Sequence, residues 1–134
     1  MATIREDYVS FETAKLLKEK SFDGQYHMYY VEDGKYTCSD LHDIKDYAKS
    51  IVEFDYLHRT KVPAPTQQMA MKWLRKEHNK FIEICMDRAH NFKDIVFRPA
   101  IYDRELACLW ESDNFLTYEE ACEAAIKYCL ENLI

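Results

Sequence analysis

Apolar positions recur along this chain with two different periods, and the changes between them divide it into helices and strands. Phe11, Ala14, Leu16 and Leu17 fall at helical spacing, with Lys15, Lys18, Glu19 and Lys20 on the other side, as in a helix with one face turned to water. Ser10 stands where its hydroxyl caps the opening turn, and Phe22-Asp23-Gly24 closes the segment, Gly24 supplying the left-handed turn. Two short runs follow, 26–31 and 35–38, around Glu32-Asp33-Gly34-Lys35. Asp33-Gly34 is a favoured type I′ hairpin turn. A two-residue turn there pairs Val31 with Tyr36, Tyr30 with Thr37 and Tyr29 with Cys38. Tyr29, Val31, Tyr36 and Cys38 then face the core, and Met28, Tyr30, Lys35 and Thr37 share the other side.

From Asp40 as cap, Leu41, Ile44, Tyr47, Ala48, Ile51 and Val52 lie on one helical stripe. Residues 54–62 read as extended or irregular, and Pro63-Ala64-Pro65 halts regular structure. A third helix opens at Pro65 or Thr66 and runs to about His78, burying Ala70, Trp73 and Leu74. Past Asn79 the period falls to two: Ile82, Ile84 and Met86 alternate with Glu83 and Asp87, the pattern of a half-buried strand. Ile95, Phe97 and Ile101 share a face of a second run, in which Pro99 argues for an edge strand or a bulge. Leu106, Cys108 and Trp110 belong to a third run, joined to the second by the charged turn Asp103-Arg104-Glu105. Connections this short make the runs an antiparallel meander. Thr117-Tyr118-Glu119-Glu120 is a capping box that opens a last helix, burying Cys122, Ala125, Ile126, Cys129, Leu130 and Leu133. The expectation is an α+β fold, an antiparallel hairpin and meander with helices packed on them. Its order is α-β-β-α-α-β-β-(β)-α, within a single globular domain over 1–134.

Composition narrows the function classes. A chain of 134 residues, 48% apolar and 31% charged, is of one-domain length and globular mixture. Gly24 and Gly34 are its two glycines. Glycine-rich phosphate loops and dinucleotide fingerprints need two or three within about eight residues, so both are excluded. The longest apolar run, Leu106-Ala107-Cys108-Leu109-Trp110, falls far short of the roughly 20 residues that cross a bilayer. Residues 1–7 lack the apolar stretch of a secretory signal. The expected setting is therefore cytoplasmic, with no membrane partner. Lys and Arg total 18 against 24 Asp and Glu, a net charge of −6, which weighs against non-specific nucleic-acid binding. None of the five cysteines forms a C-x-x-C pair, and Cys38 with His42 is an isolated C-x₃-H. They read as reduced thiols packed like small hydrophobes, with no metal and no cofactor.

Two surfaces are candidates for binding. Lys72, Arg75 and Lys76 share a face of the third helix, with His78 near its end. A basic stripe beside a tryptophan suits an acidic partner, an anionic ligand or nucleic acid. A solvated helix end, whose cations complement the dipole, accounts for the same residues. The hairpin offers Tyr26 and Tyr30, aromatics that anchor partners when exposed, unless a helix over Leu41 to Phe54 covers them. No catalytic residue is assigned, because the histidines are scattered and no H-E-x-x-H or G-x-S-x-G is present.

Pro65-Thr66-Gln67-Gln68-Met69-Ala70-Met71-Lys72-Trp73-Leu74-Arg75, followed by His78-Asn79, resembles a group of small uncharacterised proteins from gut bacteria and their phages. The likeness continues at 10–20, at Phe81-Ile82-Glu83-Ile84 and at Thr117-Tyr118-Glu119-Glu120-Ala121 onward to Tyr128, about half the chain in separated blocks. The group brings no activity, cofactor or catalytic residue with it. What it implies is context: an accessory protein of a mobile element or of host adaptation. The leading expectation is a small non-catalytic adaptor that contacts another macromolecule, most simply a protein. The alternative is a small enzyme or metabolite-binding domain with a pocket between the sheet and Trp73 or Trp110. Nucleic-acid binding through Lys72 and Arg75 ranks third.

Overall fold

The computed structural model describes residues 7–24, 28–31, 36–38 and 61–134. The Asp33-Gly34 turn, Tyr26 and the stripe at 40–52 lie outside the described residues. The architecture is α+β with antiparallel sheets, and the described elements follow the expected order with one strand, Lys61–Ala64, added to it. The chain groups into two compact units, Met1–Met69 and Ala70–Ile134.

In the first unit, helix α1 (Phe11–Glu19) starts where the Ser10 hydroxyl accepts the Thr13 N–H at 3.2 Å. Its end departs from expectation, since Ser21 and not Gly24 adopts the left-handed conformation, φ 64°. The Phe22 N–H reaches the Leu17 carbonyl at 2.9 Å and the Ser21 N–H that of Lys18 at 3.1 Å, a Schellman closure. Gly24 lies too far past the last turn to serve there. It permits a close approach instead, because a Cβ on it would stand 2.5 Å from the Phe22 ring.

Strands β1 (Met28–Val31), β2 (Tyr36–Cys38) and β3 (Lys61–Ala64) form an antiparallel sheet ordered β2-β1-β3. The hairpin register is one residue from the expected one: Tyr30 pairs with Tyr36, Tyr29 with Thr37 and Met28 with Cys38. A slip of one residue exchanges faces, so the grouping of Tyr29 and Val31 with Tyr36 and Cys38 does not hold. The turn alone cannot set the register of this middle strand, which β3 pairs on its other side. Tyr30 also donates its hydroxyl to the Val9 carbonyl at 2.8 Å and meets Phe11 edge-on. β3 runs through Pro63 where a break is expected. It borders the sheet among the described residues, and an edge tolerates a residue without an N–H.

Helix α2 (Gln67–His78) begins after Thr66, whose hydroxyl accepts the Met69 N–H at 3.1 Å. Ala70, Trp73 and Leu74 are buried as expected, and so are Met71 and Gln67. Asn79 at φ 55° ends the helix. In the second unit β4 (Phe81–Arg88), β5 (Ile95–Tyr102) and β6 (Cys108–Glu111) form a meander ordered β4-β5-β6. Pro99 thus lies on the central strand, not an edge. Four residues separate Trp110 from Phe115 where three separate Phe97 from Ile101, their partners. The extra residue is a bulge opposite Pro99, placed where that residue has no N–H to offer.

Leu106 is not in β6. It occupies the β5–β6 loop at φ 67° and is 81% exposed. The Asp103 carboxylate builds that loop by accepting the N–H groups of Glu105 and Ala107 at 2.9 and 3.0 Å. Helix α3 (Tyr118–Asn132) is capped by the Thr117 hydroxyl, which accepts the Glu120 N–H at 3.1 Å. It buries Ala121, Cys122, Ala125, Ile126, Cys129 and Leu130, while Leu133 ends half-buried. α3 packs on β5 and β4, and Tyr128 stacks on Trp110 at 4.5 Å between centroids. At its N-terminal end Tyr118 meets Phe97, and beyond that point cover is lost: Met86 and Ile95 are exposed although their alternation reads as core. No helix among the described residues is long and apolar enough to cross a membrane.

Candidate functional site

Two features of the second unit have the chemistry of recognition, and the register of the meander creates both. Cys85 pairs with Arg98, Glu83 with Ala100 and Phe81 with Tyr102, and Ala100 pairs onward with Glu111. Odd positions of β4 and even positions of β5 therefore share the face turned away from α3. A groove of about 580 Å³ opens there, lined by Cys85, His90, Arg98, Tyr102, Glu111 and Asn114 among others. Neither Trp73 nor Trp110 lines it, so the expected pocket beside a tryptophan is not this one. Trp73 is itself buried, and Trp110 lies under Tyr128.

The groove gathers charged and hydrogen-bonding side chains. Arg98 reaches the Asp87 carboxylate at 3.5 Å, with both side chains half exposed, an arrangement that adds little stability. The Cys85 thiol donates to the Glu83 carboxylate at 3.6 Å. Burial and then the Glu83 charge push that thiol above its ordinary pKa, with Arg98 pulling the other way. Burial, followed by the neighbouring Cys108 and Glu83, raises Tyr102 likewise. Both groups are neutral hydrogen-bond donors near pH 7, and a thiol held protonated is a weak nucleophile. Among the described residues no group of three or more His, Cys, Asp or Glu is placed to hold a metal ion.

The second feature is the end of the sheet where β4 turns into β5. Phe92 is 76% exposed and Ile95 54%. Met86, Leu116 and Tyr118 are further exposed apolar side chains on the segments around them. The turn is organised by Asn91, whose side-chain oxygen accepts the N–H groups of Lys93 and Asp94 at 2.9 and 3.2 Å. The Arg88 guanidinium donates to the Phe92 carbonyl at 3.4 Å. Phe92 sits at φ 58°, a conformation glycine or asparagine adopts with less strain.

The structure distributes the sequence-predicted residues differently. Lys72, Arg75 and Lys76 are exposed on α2. His78 is half-buried with its ring against Trp73 at 4.6 Å, and its carbonyl accepts from Lys80. Tyr30 uses its hydroxyl and ring within the first unit, and Tyr26 lies outside the described residues. Cys122 and Cys129 are buried as expected, whereas Cys85 and Cys108 are exposed, since odd positions of β4 face the groove and not α3. The parity of Glu83, Cys85 and Asp87 signals that polar face, but their partners on β5 follow only from the register. No family model matches this chain, and neither the curated proteins nor the solved structures supply a match.

Proposed function

We propose that this protein is a non-catalytic binding module that docks on another protein through the Phe92 end of the β4-β5-β6 sheet. One observation carries the reading: a large apolar side chain, mostly in water, occupies a left-handed backbone position with a second exposed apolar residue, Ile95, three residues on. Glycine there would relieve about 1 kcal/mol of strain, and exposing a phenyl ring contributes nothing to folding. Strain combined with exposed apolar surface suits a docking anchor. The setting implied by the sequence resemblance, an accessory protein of a phage or mobile element acting in the cytoplasm, accords with a module that works by contact.

The test separates stability from function. Phe92→Gly should raise the unfolding free energy by up to about 1 kcal/mol, and Phe92→Gly with Ile95→Ser should abolish recovery of a stoichiometric protein partner from host extracts. Lys72→Glu with Arg75→Glu should leave that recovery intact. Unchanged capture by the Phe92 and Ile95 variant overturns the reading. A metabolite-binding role for the groove is the second reading, supported by the convergence of Arg98, Tyr102 and Glu111. It requires a small molecule to accompany the purified chain and to be lost in Arg98→Ala.

A further inference from the structure

The direction of every main-chain group on β4 follows from bonds made by β5. Phe97 exchanges both of its bonds with Phe115, and the Pro99 carbonyl accepts from Ser112, so odd positions of β5 point towards β6. In an antiparallel ladder N–H and C=O of one residue point the same way, and neighbours alternate. Even positions of β5 therefore bond β4, through Phe81, Glu83, Cys85 and Asp87. The N–H and C=O of Ile82, Ile84, Met86 and Arg88 point away from the sheet. Among the described residues β4 pairs with β5 alone.

This outer row is bounded at both ends. The Arg88 N–H is taken by the Asp87 carboxylate at 2.7 Å, and the Lys80 N–H by the Leu74 carbonyl at 3.1 Å. Ile82, Ile84 and Met86 remain between them. The strand has eight residues without a proline or a register break, lacking two of the devices that protect edges from pairing.

We infer that β4 pairs antiparallel with β4 of a second copy of this chain, about a two-fold axis at Ile84, joining two meanders into one six-stranded sheet. The register follows from charge and from the bounded row. Centring on Ile84 sets Ile84 opposite its copy and Ile82 opposite Met86 on the α3 side, and Glu83 opposite Cys85 on the groove side. Centring on Cys85 would oppose Glu83 to Asp87 and need the occupied Arg88 N–H. Moving the axis between Ile82 and Ile84 would oppose Glu83 to itself. Like charges directly opposed are destabilising, so only the Ile84 axis joins apolar to apolar and keeps the carboxylates apart, while Lys80 and Arg88, which it sets opposite each other, lie beyond the bonded row because both of their N–H groups are taken. Ile82 and Ile84 are only half-buried and Met86 is 69% exposed, and the added strand covers all three. Phe92 and Ile95, the residues that carry the docking surface proposed above, lie beyond this row and take no part, so the two surfaces share Met86 alone.

Sedimentation equilibrium of the full chain, with amide exchange along β4, tests this. The expected mass is twice 16.0 kDa, with the Ile82, Ile84 and Met86 amides as protected as those of Glu83 and Cys85 and exposed again on dilution. Met86→Lys, at a position already largely in water, should weaken association at least tenfold without changing the melting of the dilute protein. A monomer up to millimolar concentration overturns the inference. So does a dimer whose Ile82, Ile84 and Met86 amides exchange freely, or one readily cross-linked by oxidation through Cys85 to Cys85, which requires the other axis. The wild-type exchange pattern decides the matter even if Met86→Lys fails to fold. None of these outcomes bears on Phe92.

Discussion

Leu106 shows how a single residue can work against the loop that holds it. Three residues join Asp103 to Ala107, and Leu106, the last of them, is left-handed. Three-residue hairpin loops of this kind place glycine at that position because a Cβ there crowds the backbone. Leu106 gains nothing by packing, being 81% exposed. Leu106→Gly should therefore raise the unfolding free energy in urea by about 1 kcal/mol, and a loss would mean that the leucine side chain has a contact of its own. Ser21 and Phe92 share its conformation, whereas Asn79 is of a type that tolerates it. None of the four positions is legible in the sequence, which draws the eye to Gly24. A left-handed position is fixed by where the last hydrogen-bonded turn falls, and sequence periodicity locates that only to within a residue or two.

At the scale of elements, whatever depends on near neighbours in sequence is readable. α1 and α3 start at Ser10 and Thr117 as their caps require, and the α3 stripe from Cys122 to Leu130 is the predicted one, because a helix satisfies its hydrogen bonds locally. Thr117→Ala should cost about 1 kcal/mol in denaturant unfolding, and an unchanged midpoint would show that water replaces the cap. Every described strand but β3, which runs through a proline, is visible in the pattern, but the pairing is not. The β1–β2 register depends on β3, some thirty residues downstream of β1. Pro99 is tolerated on a central strand because of a bulge in the segment after β6. The groove needs Cys85, Arg98, Tyr102 and Glu111 on one face, and only the two cross-strand registers put them there. The exposed end of the meander has the same origin: Met86 and Ile95 continue an apolar alternation past the reach of α3.

Over the whole molecule, stability should carry an alkaline signature. Burial pushes the Cys129 thiol from its ordinary 9.0 to about 11, with Lys80 drawing it down slightly. The folded state thus favours the neutral thiol. This contribution is complete below pH 9 and disappears as pH rises from 9 towards 11, because the unfolded chain releases the proton first. Urea midpoints should fall across that window, and Cys129→Ala should fall less steeply from a lower starting stability. Parallel curves for the two chains would contradict the burial of that thiol. One more consequence follows from where the indole rings lie. Both tryptophans, Trp73 and Trp110, belong to residues Ala70–Ile134, so their emission is blind to the segment that precedes them, Met1–Met69, whose melting must be followed by another optical signal. If the two halves of the sequence lose structure at different temperatures, fluorescence and far-ultraviolet dichroism will trace separate curves.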